Sequence, residues 1–225
     1  MQLYKILSIL LCYPEQDLLD NLAIIRSYLE ADSLAELNEL LTYLATKDLI
    51  SLQEHYVQSF DRTPSQSLHL FEHIHGEDRI RGQAMVDLMN EYQTAGFELV
   101  CEELPDYLPL FLEFLAVCDP SKAQEFLGEA IDVINHIGQK LQQNNSTYAG
   151  IFKVLVRLSP VEPKPLTVPP VRDMDEAMEK FGPNPEGIEP LLSTRVVRSI
   201  NHHATNTCPT NSCTQCTTDS ERELR

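Results

Sequence analysis

Proline falls unevenly along the chain, and this limits the fold more than any other feature. Five of the 14 prolines lie in residues 1–159 and nine in residues 160–225. The run Ser159-Pro-Val-Glu-Pro-Lys-Pro-Leu-Thr-Val-Pro-Pro170 cannot form regular helix, because each ring removes a backbone donor and fixes φ. It reads as an extended linker, which predicts a folded domain over 1–159 and a Pro-rich, largely disordered tail over 160–225. A body of that length buries roughly 70% of its unfolded surface, enough for one core.

Ahead of the linker the apolar residues recur at helical spacing. Leu3, Ile6, Leu7, Leu10 and Leu11 define a first helix over 2–13, stopped by Pro14. It holds Lys5 as its one positive charge and has no small-residue cleavage site, so it reads as a core helix and not as a secretion signal. Further helices are predicted over 15–31, 33–44, 48–60, 77–95, 106–118, 119–143 and 146–158. Ser33 and Glu36 have the form of a capping box for the third. Ile80, Ala84, Leu88 and Tyr92 make the stripe of the fifth, which ends at Gly96. Asp106 is placed to cap the sixth, and Asp119-Pro120 opens the seventh. No stretch alternates with period two between hairpin turns. The predicted class is all-α, a single bundle of about eight helices.

Charge narrows the function. The body carries 10 basic and 24 acidic residues, net −14, out of −17 for the whole chain. That excludes broad nucleic-acid binding and disfavours anionic membranes, and it suits a basic peptide. No run of about 18 apolar residues exists to span a membrane. Six scattered Cys form no disulfide framework, so a reducing cytoplasm is expected. With eight Gly and no phosphate-loop or dinucleotide pattern, no nucleotide site is expected.

Two segments could carry chemistry. The first, Ser59–Asp87, lies beside or contains His55, His69, His73 and His75, with Glu72, Glu77 and Asp78 among them. Their spacing matches neither a closed zinc pattern nor the metalloprotease helix, and no nucleophile motif accompanies them. The alternative is that they tie loop backbone and pair with Arg62, Arg79 and Arg81. The other segment is Glu102–Leu115, where Tyr107, Phe111 and Phe114 at helical spacing read as core. In the tail, Cys208, Cys213 and Cys216 near His202 and His203 lack a fourth Cys and apolar surroundings, which disfavours zinc or an iron–sulfur cluster.

Phe60-Asp-Arg62, Ser67-Leu-His-Leu-Phe-Glu-His-Ile-His-Gly-Glu-Asp-Arg79, Arg81-Gly-Gln-Ala-Met-Val-Asp-Leu88 and Glu103-Leu-Pro-Asp-Tyr-Leu-Pro-Leu110 closely resemble the NarJ family of nitrate reductase assembly chaperones. That family belongs to the TorD-like redox-enzyme maturation chaperones. The resemblance covers about residues 1–158, including Leu-Leu-Cys-Tyr-Pro14. Tyr107 stands where the superfamily's Glu-x-Pro-Asp-His motif has His. The Cys-containing end finds no counterpart.

The resemblance implies a non-enzymatic, cytoplasmic, all-helical chaperone with no permanent cofactor or metal. It would bind the apo catalytic (alpha) subunit of respiratory nitrate reductase, including its N-terminal segment. It would hold that subunit ready for bis-molybdopterin guanine dinucleotide before membrane docking, with cofactor-delivery proteins as further candidate partners. The expected client groove follows the Asp61–Asp87 region and the Pro105–Phe114 helix. Its candidate residues are Asp61, Arg62, His69, Phe71, Glu72, His73, His75, Glu77, Arg79, Gln83, Asp87, Asp106, Tyr107 and Phe111. Two alternatives stay open: a chaperone for another molybdoenzyme with a twin-arginine leader, and a metal-binding protein using the tail.

Overall fold

A computed structural model describes residues 2–75, 80–99 and 103–166. Ten α-helices are present among them, and no strand: α1 Gln2–Leu11, α2 Gln16–Asp20, α3 Leu22–Ser27, α4 Ala31–Thr46, α5 Leu49–Tyr56, α6 Leu70–His75, α7 Ile80–Thr94, α8 Leu108–Val117, α9 Pro120–Gln143 and α10 Ala149–Leu158. The all-α class therefore holds. Two features account for the extra helices. The predicted second helix breaks at Asn21 into α2 and α3, and α6 forms inside the His-rich segment.

The centre is α8, of which Leu108, Leu112, Phe114 and Leu115 are fully enclosed. It lies against α1, whose buried Ser8 donates its hydroxyl to the Pro109 carbonyl at 2.8 Å. That carbonyl sits in the first turn of α8. On the other side α9 presents Leu127, Ile131, Ile134, Ile137 and Leu141, all buried, with Phe126 and Ala130 of the same periodic face half-buried. Each such side chain contributes about 1.5–3 kcal/mol by leaving water. Asp119 caps α9 as expected, accepting from Ser121 N–H at 2.9 Å. Helix α10 closes on α9 and α4 so tightly that a Cβ at Gly150 would stand 2.3 Å from the Glu36 carbonyl. Only glycine permits that approach.

Three expectations are corrected. Helix α4 starts one residue after Glu30, so Ser33 lies inside it and caps nothing. Buried Ser33 instead accepts from Arg157 Nη2 at 2.8 Å, and Glu36 accepts from the same nitrogen at 3.0 Å, which joins α4 to α10. Helix α7 fully buries only Tyr92 of its predicted stripe, while Leu88 packs half-buried against the core and Ile80 is exposed. It is followed by Gly96 in the left-handed region, φ 77°. Asp106 does not cap α8, whose N-cap is Tyr107 with no side-chain bond. Its carboxylate serves α6 instead.

Residues 160–166 run along α9. Lys164 N–H donates to Asp132 Oδ1 at 2.7 Å, and Pro160 and Val161 pack over Gly128. Leu166 packs against the edge of the core. The rest of the predicted tail, with His202, His203, Cys208, Cys213 and Cys216, lies outside the described residues. No described helix is long and apolar enough to cross a membrane.

Candidate functional site

The His-rich segment is organised by backbone pairing. His69 and Tyr107 form an isolated antiparallel bridge, with Leu70 N–H donating to the Asp106 carbonyl at 3.1 Å and Leu108 N–H to the Leu68 carbonyl at 2.8 Å. The bridge brings the fully buried Asp106 carboxylate to the N-terminus of α6, where Oδ2 accepts from Phe71 N–H at 3.0 Å. Asp106 therefore caps a helix 35 residues upstream of itself. It supplies an acceptor to one of the N–H groups that a helix start leaves unpaired.

Its other oxygen faces His69 Nδ1 at 3.5 Å. That contact raises the pKa of His69 above the ordinary imidazole value, against the opposing effect of burial. His73 is buried, and its Nε2–H donates to the Ser67 carbonyl at 2.8 Å. Glu72 accepts from Ser67 Oγ at 2.5 Å and from Arg81 Nη2 at 3.1 Å. His75 packs its ring against half-buried Phe71. These groups tie the segment to the body and to one another.

The other candidates scatter. Asp61 and Arg62 are exposed at the end of a π-helical turn, Val57–Asp61. Gln83 donates to Asp87 at 2.8 Å on the exposed face of α7. Phe111 is buried in the core, so no client side chain touches it directly in this conformation. Glu77 and Arg79 lie outside the described residues. No group of three or more His, Cys, Asp or Glu among the described residues is arranged to hold a metal ion.

An open groove of about 680 Å³ lies elsewhere, between α1, the α2–α3 segment and the start of α8. Ile9, Leu18, Ile25, Pro109 and Leu110 give it an apolar lining. Glu15, Asp17, Glu103 and Glu113 bring carboxylates, and no Lys or Arg among the described residues lines it. Glu113 is paired with Lys5, whereas Glu15, Asp17 and Glu103 make no ion pair with a described residue. Cys12 opens onto the groove, and partial desolvation followed by the nearby Glu113 raises its pKa, so the thiol stays protonated and weakly nucleophilic.

Of the sequence-derived candidates among the described residues, Tyr107 alone lines this groove. Tyr56 donates its hydroxyl to the Leu11 carbonyl at 3.0 Å, which leaves Tyr107 to donate to Tyr56 across 3.0 Å. Burial pushes the Tyr107 pKa up to about 12, so this pair of hydroxyls stays neutral. Tyr107 thus has one side in the groove while its ring lies 5.4 Å from that of His69. The groove escaped sequence reasoning because its walls come from residues about 100 positions apart. The unpaired acidic residues after Pro14, Glu15 and Asp17, were the one signal that could have pointed to it.

The apolar lining accepts aliphatic or aromatic side chains, and the carboxylates above it accept Lys or Arg. Such a groove fits an amphipathic basic segment.

The chain is similar to several known proteins. Residues 28–153 match the family described as nitrate reductase delta subunit. The probable nitrate reductase molybdenum cofactor assembly chaperone NarW of Escherichia coli K12 is 39% identical over 163 residues, which are 71% of this chain and 68% of that one. The nitrate reductase molybdenum cofactor assembly chaperone NarJ of the same strain is 46% identical over 112 residues, half of this chain and 48% of its own length. The probable NarJ chaperone of Bacillus subtilis is 31% identical over 157 residues, 68% of this chain and 85% of that one. These relatives are named as chaperones, which accords with a non-catalytic role. The chain belongs to the nitrate reductase delta subunit family.

Proposed function

We propose that this protein is an assembly chaperone for a molybdenum-dependent nitrate reductase. It binds the catalytic subunit in the cytoplasm, before that subunit is complete, and takes the subunit's N-terminal segment into the groove between α1, α2–α3 and α8. Binding keeps the subunit open to bis-molybdopterin guanine dinucleotide and keeps it off the membrane until the cofactor is in place. The chaperone role is supported by the family and by the names of the relatives. The peptide site is supported by one observation, the groove of about 680 Å³ that combines an apolar lining with unpaired carboxylates.

Amphipathic helices dock by laying apolar anchors into such a lining, and the surrounding charges set register and encounter rate. Exposed charges are screened over about 8 Å at physiological ionic strength, so part of the affinity is lost with salt. The test is titration calorimetry of the full chain with a synthetic N-terminal peptide of the nitrate reductase catalytic subunit. Affinity is expected to fall as salt rises and to drop at least tenfold in Ile9→Glu, which puts a charge into the apolar lining. Equal affinity for Ile9→Glu and the parent, with the variant folded, would place the peptide elsewhere.

A further inference from the structure

Tyr13 lines a further cavity as well as the groove. This cavity, of about 430 Å³, is bounded by Tyr13, Ile50, Gln53, Val57 and Arg62, with Glu54 and Gln58 beside them. Tyr13 is 45% exposed and stands edge-on to Tyr56, ring centroids 5.5 Å apart. Tyr56 is itself fixed to the Leu11 carbonyl. Gln53 Nε2 donates to the Pro14 carbonyl at 2.9 Å and holds the segment after α1 against α5. The ring of Tyr13 is therefore a held wall shared by two compartments.

The compartments differ in charge. Among the described residues, four carboxylates and no Lys or Arg line the groove, with Glu113 paired to Lys5 beside it, whereas Arg62 and Glu54 line the smaller cavity. Arg62 follows the π-helical turn, its N–H donating to the Val57 carbonyl at 3.0 Å. Its guanidinium makes no ion pair with any described residue, Glu54 included. Among the described residues it is the one cation lining either compartment. Arg forms its strongest contacts with carboxylates, two N–H groups to two oxygens.

We infer that the binding surface continues across Tyr13 and reads its client with a fixed direction. The cations of the bound segment lie among Glu15, Asp17, Glu103 and Glu113, and an acidic side chain at one end of the same segment meets Arg62. This rests on the groove being the peptide site and adds the chemistry and orientation of the peptide. Glu54 makes the assignment sharper. Without the Arg62 cation the smaller cavity keeps only a negative charge, and a client carboxylate there is repelled.

The test uses the full chain and three forms of the catalytic subunit's N-terminal peptide. One form has its acidic residues replaced by their amides. The other two add two Glu to its N-terminal or its C-terminal end. On the parent, one extended peptide, and only one, is expected to bind three- to tenfold more tightly than the unextended form. The gain should vanish in Arg62→Gln, become a penalty in Arg62→Glu, and partly return in Arg62→Lys. Equal affinity of the two extended peptides, or a gain that survives in Arg62→Gln, overturns the inference and leaves the groove intact as the peptide site. Failure of the unextended peptide to bind the parent overturns both.

Discussion

In the segment Ser67–His75 the polar side chains turn toward the protein. His73 holds the Ser67 carbonyl, Glu72 holds Ser67 and Arg81, and the buried carboxylate of Asp106 holds the first turn of α6. In the groove the polar side chains turn away from it. Glu15, Asp17 and Glu103 stand beside Ile9, Leu18 and Leu110 and pair with no described cation. The His-rich segment has the composition of a site because it concentrates titratable groups, yet most of those groups are engaged with one another or with backbone, and the buried His69 Nδ1 and Asp106 Oδ1 face each other at 3.5 Å. The groove residues are unremarkable along the chain and leave their charges available. A buried polar group must be matched within the fold, so its partners are spoken for. An exposed carboxylate costs little to leave unmatched and can be matched by a ligand.

The contrast is broken or sharpened by substitutions whose effects differ in kind. The largest effect on stability is expected at Asp106→Ala. Phe71 N–H loses its acceptor and His69 its facing carboxylate in an enclosed place, which should cost about 2–4 kcal/mol in urea unfolding. A cost under about 0.5 kcal/mol would mean that Asp106 does not anchor the segment. Next, reversing Glu15, Asp17 and Glu103 together to Lys should weaken client-peptide binding ten- to a hundredfold at low salt. The melting temperature should stay nearly constant, since isolated surface charges contribute little to folding. A large fall in melting temperature with unchanged affinity would exchange the roles of the two regions.

His73→Gln should cost about 1–2 kcal/mol of stability through the bond to Ser67. It should leave the pH profile of peptide affinity as in the parent, because a buried ring facing a carbonyl does not meet the peptide. An altered profile would restore His73 to the binding surface. The smallest effect belongs to His69→Gln. The folded protein raises the pKa of His69 through Asp106, so the added stability is fully present below about pH 6.5 and disappears as pH rises through the folded value. Parent and variant should therefore differ by about 1 kcal/mol or less near pH 5 and converge near pH 8. Denaturation at those two values checks the sign, and a gap that widens with pH refutes it.

Much of the fold was legible because its rule is local. The spacing of Leu127, Ile131, Ile134, Ile137 and Leu141 says which face of α9 is buried, and Asp119-Pro120 says where the helix starts. The errors came where a residue's partner is remote. Ser33 and Glu36 have the spacing of a cap, but Arg157 of α10 claims both. Asp106 stands before a helix and serves another one. Ile80, Ala84 and Leu88 share a stripe with Tyr92, yet only Tyr92 is fully buried; Leu88 packs half-buried against the core and Ile80 is exposed.

By itself the sequence determined the helical class, the placement of the main helices, the acidity of the body and the resemblance to a chaperone family. These follow from periodicity, composition and contiguous motifs, all of which are properties of neighbours along the chain. The tertiary structure alone decided which polar groups are matched. It set Asp106 against α6, took Phe111 out of reach, and opened a groove between residues 8–25 and 103–113 that only folding brings together. The physical reason is that hydrogen-bond and charge satisfaction depends on three-dimensional neighbours, and a chain read in order does not contain them.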